Sequence, residues 1–346
     1  MELARFKHWQ PPADWIKIST IDAHTEGEPL RIITGGLPEI KGKTILEKRR
    51  YFRSKMDEIR KALMWEPRGH ADMYGCILLP ALSPQADFGV LFTHNEGYSS
   101  MCGHGIIAVT KVVLETGLVA MTEPETRLVI DTPAGAVNAF ARIQNQHVAS
   151  VYFQNVPSFV FLQDGIITLP DYGEIRFDIA FGGAFYALVE ARDVNLKCTP
   201  SHFWQLIDTG MQIKNAVKAK VSIEHPFEQD LSFLYGTIFT EPAHNSDADS
   251  RNVCIFAEGE VDRSPTGTGV SARTALHHAR GELKVGEVMT IESIIGTRFT
   301  GRAIKLTTFG PYQAVIPEVE GRAFITGKNE FYLDPHDPLK NGFILR

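Results

Sequence analysis

SMCGHGIIAVTKVVLETG, residues 100–117, and SPTGTGVSARTALHHARG, residues 264–281, are two versions of one design. Each opens on a short polar loop, passes a Gly-x-Gly step and continues into a helix ended by glycine; the first helix is expected from about 103 to 117. Aligning 102–110 with 266–274 superposes Gly, Gly, Ala and Thr, while Cys102 meets Thr266. The flanks repeat too. Tyr74, in the strand-like DMYGCILLP, precedes Cys102 by 28 residues, and Tyr235, in FLYGTIF, precedes Thr266 by 31. IKISTIDAHTEGEPLRIITGG at 16–36 reads as an opening hairpin closing on Gly-Gly, and FDIAFGGAFYALVEA at 177–191 echoes it. The order of elements predicts an internal duplication, with Cys102 and Thr266 on opposite sides of one cleft.

The remaining pattern fills in around these units. KTILEKRRYFRSKMDEIRKALMW (43–65) is expected to be a helix, with Thr44 and Glu47 as a capping box, apolar residues at helical spacing and a solvated basic face at 48–53. FGVLFTH reads as a strand. RLVIDTPAGAVNAFARI and HVASVYFQNVP alternate apolar and polar residues as antiparallel strands do, and a helix is expected over much of 201–221. A boundary near Pro157 would divide the chain.

Composition narrows the classes of function. With 346 residues, two domains are the default; 44% hydrophobic and 22% charged residues with a net charge of −6 describe a globular protein with no basic excess for nucleic acid or anionic membrane. The first residues, MELARFKHWQPPADW, lack a signal-like apolar core, and IAFGGAFYALV is too short to span a bilayer, so a cytoplasmic protein is expected. Cys76, Cys102, Cys198 and Cys254 are scattered without CxxC, and neither a disulfide framework nor a metal site is expected.

Two Gly-x-Gly loops, each feeding a helix N-terminus, would turn backbone N–H groups and partial positive charge toward one carboxylate and stabilise negative charge forming beside it. A cysteine at such a terminus is expected to ionise more easily than usual, as base or nucleophile. Cys76, Cys198 and Cys254 read as packing residues. The surroundings of Cys102 do not match a papain-like protease; HTE at 24–26 lacks the PCxxC of zinc deaminases, and GTGVS lacks the P-loop lysine.

MCGHG with DRSPTGTG, together with DAHTEGEP, GHADMYG and RNVCIF, resembles the proline racemase family over nearly the whole chain. The resemblance implies a fold similar to diaminopimelate epimerase, α/β (α+β): two pseudo-symmetric domains, each a mostly antiparallel sheet or barrel around a central helix, with the active site in the cleft between them. The expected domains are 1–155 and 156–333, with a C-terminal segment of about 334–346 able to return to the first. Racemases of the family carry cysteine in both motifs, one on each face of the substrate α-carbon. This chain departs from them at Thr266.

A hydroxyl there is too weak an acid for reversible two-base proton exchange. The Cys/Thr pair instead resembles trans-3-hydroxy-L-proline dehydratases. Cys102 would remove the α-proton while the 3-hydroxyl leaves as water, protonated by the resulting thiol or by His104, giving Δ1-pyrroline-2-carboxylate. By resemblance, Gly103, His104, Gly267 and Thr268 would bind the carboxylate and ring nitrogen, Asp262 would face the imino group, and Tyr74 and Phe256 would form aromatic walls. Read from the residues alone, Asp262 as a helix-start anion, Phe256 as core and His104 as a structural hydrogen-bonding group stay open. No cofactor is expected, and a small imino acid and a second copy of the chain are the expected partners. The alternatives are a proline or hydroxyproline racemase or epimerase, and a non-catalytic imino-acid-binding protein.

Overall fold

The computed structural model describes residues 9–345, so the first eight residues of the N-terminal stretch discussed above, and Arg346, lie outside the described residues. Strands β1 (Ile16–Thr25) and β2 (Glu28–Gly35) form the opening hairpin, but it turns at Glu26-Gly27, both at positive φ, rather than at Gly35-Gly36. A two-residue turn of this kind matches the twist of its strands. The helix expected at 43–65 is two helices, α1 (Ile45–Lys55) and α2 (Asp57–Met64), broken at Met56. Thr44 Oγ1 accepts from the Glu47 N–H, while the Glu47 carboxylate accepts from the Lys43 N–H instead of closing a box on Thr44.

The first unit continues through β3 (Tyr74–Leu79), β4 (Phe88–His94), β5 (Tyr98–Ser99), α3 (Gly103–Glu115), β6 (Glu125–Thr132), β7 (Gly135–Gln144) and β8 (His147–Gln154). The second is built from β9 (Ser158–Leu169), β10 (Gly173–Phe181), β11 (Phe185–Glu190), α4 (Phe203–Lys220), β12 (Leu234–Pro242), β13 (Ser250–Phe256), β14 (Glu260–Val261), α5 (Gly267–Ala279), β15 (Met289–Glu292), β16 (Arg298–Phe309) and β17 (Tyr312–Gly321). The last strand is β18 (Ala323–Leu333).

Pairing repeats between the units. The β2–β3 and β11–β12 pairs are parallel, β3–β4 and β12–β13 antiparallel, β4–β6 and β13–β15 parallel, and β6–β7 and β15–β16 antiparallel. The second unit closes into an eight-stranded barrel through β17 on β9. β18, which the sequence reading drew with the second half, instead pairs along β1 from Ile16↔Leu333 to Thr25↔Ala323, the place β9 holds beside β10. Its alternating burial suits either barrel equally; the open edge of β1 decides.

Each barrel is filled by one helix. α3 packs against β1, β2, β7, β8 and β18, and α5 against β9, β10, β11, β16 and β17. α3 buries eleven of its thirteen residues, and the two others, Lys111 and Glu115, pair with each other one turn apart. α5 carries buried Ser271 and Thr274, whose hydroxyls donate to the carbonyls of Gly267 and Val270 four residues back.

Candidate active site

The N-termini of α3 and α5 meet head to head. A Cβ built on Gly103 would stand 2.5 Å from the Gly267 Cα, and one on Gly267 2.7 Å from the Gly103 Cα, so only glycine allows this approach. The first-turn N–H groups of both helices lack acceptors within their own helices and gather at the junction. Two partial positive charges there favour an anion.

Cys102 is the N-cap of α3, in extended conformation, and its Sγ accepts from the Gly105 N–H at 3.2 Å. His104 Nδ1 lies 3.3 Å from the same sulfur, and Thr25 Oγ1 fastens the loop by donating to the His104 carbonyl at 2.8 Å. Thr266 holds the matching place before α5 with a different backbone, φ 65°, ψ 95°, and does not cap the helix. That conformation is strained for a β-branched residue. It is held by the Thr266 N–H donating to Ser264 Oγ and the Ser264 N–H to Asp262 Oδ1, so that DRSP folds into a tight bracket. Thr266 Oγ1 is buried without a hydrogen-bond partner, beside the Cys254 thiol.

All nine residues named from the sequence, Cys102, Gly103, His104, Thr266, Gly267, Thr268, Asp262, Tyr74 and Phe256, line one cavity of about 20 Å³ between the units. Four more were missed: Met101, Tyr186, Tyr235 and Cys254. Tyr235 carried a signal, its spacing to Thr266 matching that of Tyr74 to Cys102. As a strand cysteine in NVCIF, Cys254 looks like core in the sequence, and only the fold shows that it borders the cavity. The space holds about one water and no five-membered ring with a carboxylate, so admitting one requires the units to part.

Hydroxyls and rings close the walls. Tyr74 OH is hydrogen-bonded to Ser99 Oγ, which lies 2.8 Å from Tyr235 OH of the other unit, and Tyr186 OH is 2.6 Å from Thr268 Oγ1. The Tyr74 and His104 rings meet edge-on with centroids 4.7 Å apart, and Tyr235 stacks on Phe256 at 5.3 Å.

Electrostatics corrects one expectation. Burial pushes the Cys102 thiol well up from its ordinary value, outweighing the Gly105 N–H and the Tyr74 hydroxyl that favour thiolate. Burial likewise lowers His104 to about 4, against the pull of Asp262, leaving the imidazole neutral near pH 7. Glu28, fully buried with one oxygen accepting from the Arg263 N–H, is held well above the usual carboxylate range by burial and by facing Asp262.

The basic face at 48–53 is not merely solvated. Arg50 Nε lies 2.8 Å from Asp230 Oδ2 of the second unit, at a larger cavity of about 780 Å³ that shares Tyr235 with the inner one. Among the described residues, no cluster of three or more His, Cys, Asp or Glu is placed to hold a metal ion, and no helix is long and apolar enough to cross a membrane.

Residues 20–344 match the family model described as proline racemase. The chain is 49% identical over 345 residues to a trans-3-hydroxy-L-proline dehydratase of Colwellia psychrerythraea, covering 99% of this chain and 97% of that one. It is 46% identical over 329 residues to a 3-hydroxyproline 2-epimerase of Burkholderia multivorans, covering 95% and 98%. The crystal structure of a hydroxyproline epimerase from Agrobacterium vitis with bound trans-4-hydroxy-L-proline superposes with a TM-score of 0.90 at 37% identity, over 95% of this chain and 96% of that one.

Proposed function

The chain belongs to the proline racemase family, and from that premise we propose the reaction that its asymmetric cavity performs. It is an enzyme, a trans-3-hydroxy-L-proline dehydratase, releasing water and giving Δ1-pyrroline-2-carboxylate. The observation that carries the reading is Cys102 facing Thr266 across two converging helix ends: one face offers a thiol beside an imidazole, the other a hydroxyl.

In our account the substrate carboxylate sits on the first-turn N–H groups of α3 and α5, with its charged imino group toward Asp262. The Cys102 thiolate removes the α-proton, and the helix ends stabilise the charge that spreads into the carboxylate. In the trans isomer the 3-hydroxyl lies on the same ring face as the α-hydrogen, so elimination is syn and served from the Cys102 side. Thr266 on the opposite face returns no proton, which suppresses inversion. Homodimerisation and a cytoplasmic location complete the reading; light scattering after size-exclusion chromatography and cell fractionation read them.

The test is mass-spectrometric analysis of purified protein incubated with trans-3-hydroxy-L-proline, trans-4-hydroxy-L-proline and L-proline. Loss of one water from the first compound alone, absent in Cys102→Ser, is the expected result; no water loss from any of them would end the dehydratase reading.

A further inference from the structure

Elimination of water needs an acid at the departing oxygen, and the residues nearest Cys102 differ in fitness for it. Neutral His104, lowered to about 4, is scarcely protonated near pH 7. Asp262 lies toward the ring nitrogen in the reading above. Tyr74 lines the same cavity as Cys102, is 3% exposed, sets its ring edge-on to His104 at 4.7 Å and turns its hydroxyl to Ser99 Oγ.

We infer that Tyr74 is the acid that protonates the departing 3-hydroxyl, with Ser99 and Tyr235 donating in sequence into its oxygen. The inference rests on the dehydratase reading. One direction of donation, Tyr235 to Ser99 and Ser99 to Tyr74, leaves the Tyr74 proton free to turn into the cavity that Cys102 also lines. That proton is available to the oxygen leaving the ring face that Cys102 serves.

The step balances. The C2–H electron pair becomes the C2=C3 π bond, the C3–O pair departs with oxygen, and that oxygen takes the Tyr74 proton and leaves as water. The transient phenolate, stabilised by the Ser99 hydroxyl, takes the proton now on Cys102, which restores thiolate and tyrosine. A departing hydroxide, whose conjugate acid has a pKa near 15.7, is basic enough to draw the proton from a phenol. Burial and the neighbouring Cys102 hold Tyr74 above its ordinary range, so it stays protonated throughout the working pH range.

The test is Tyr74→Phe in the full chain, measured on trans-3-hydroxy-L-proline and on trans-3-fluoro-L-proline. Fluoride, the anion of a far stronger acid than water, leaves without a proton. Water elimination is expected to fall by about 10²- to 10⁴-fold while fluoride release changes by less than about tenfold, which also shows the variant folded. Equal loss on both substrates, or unchanged rates on both, would overturn the assignment. Wild-type protein that releases fluoride but never water would instead overturn the dehydratase reading, and this inference with it.

Discussion

In the proposed reaction Cys102 is the residue on which the chemistry turns, and its environment sets the pH behaviour. Burial raises its thiol, and the thiolate is the base, so kcat/KM should climb with pH through and beyond the ordinary thiol value near 8.5. No limb should appear near 6.5, because His104 titrates at about 4; a pH–rate profile of wild type reads both. The same lowering fixes a stability slope. A histidine depressed in the folded state contributes fully above its unfolded pKa near 6.5, and that contribution is lost as pH falls through about 4, roughly 3 kcal/mol in all. Urea midpoints should drop across this window in wild type and drop less in His104→Gln. Thr266 shows what one atom decides. Thr266→Cys places a thiol on the second face, and chiral chromatography should then detect α-epimerised proline that wild type does not form. The exchange of sulfur for oxygen was legible in the sequence; the 65° φ and the unpartnered hydroxyl were not, since both come from the Asp262–Ser264 bracket.

At the scale of elements, the proposed binding falls to two helix ends pressed together. Gly267→Ala would put a Cβ 2.7 Å from the Gly103 Cα, far inside van der Waals contact, forcing α3 and α5 apart; activity should fall at least about 10²-fold while far-ultraviolet circular dichroism stays near wild type. The helices, their starts and the flanking strands could be read from Gly-x-Gly steps and periodicity because those signals are local. The break at Met56 could not, for 43–65 has continuous helical spacing, and Met56, buried in one cluster with Phe52, leaves the helical conformation with no local signal for it. Tyr186 stayed hidden for a similar reason: in an almost wholly apolar strand, nothing local says which side chain reaches the cavity.

The whole molecule is a duplication stitched by exchange. β8 pairs with β17 of the second unit, and β18 returns after the second barrel to complete the first. A chain ending at Gly321 should therefore leave β1 paired only to β2, with its other edge bare along its length, and fail to accumulate as soluble protein, as soluble yield would show. The duplication itself was visible in paired motifs and spacings, whereas the destination of β18 is a long-range pairing without local signature. The two units are also joined by Arg50–Asp230 at the larger cavity and by Tyr74–Ser99–Tyr235 at the inner one. In the proposed reaction this arrangement serves proton removal from one face only. The most direct test is proton NMR of trans-3-hydroxy-L-proline with the enzyme in D2O. The account predicts that substrate signals give way to the cyclic imine with no resonances of the α-epimer at any time; growth of the epimer before or instead of the imine would contradict it.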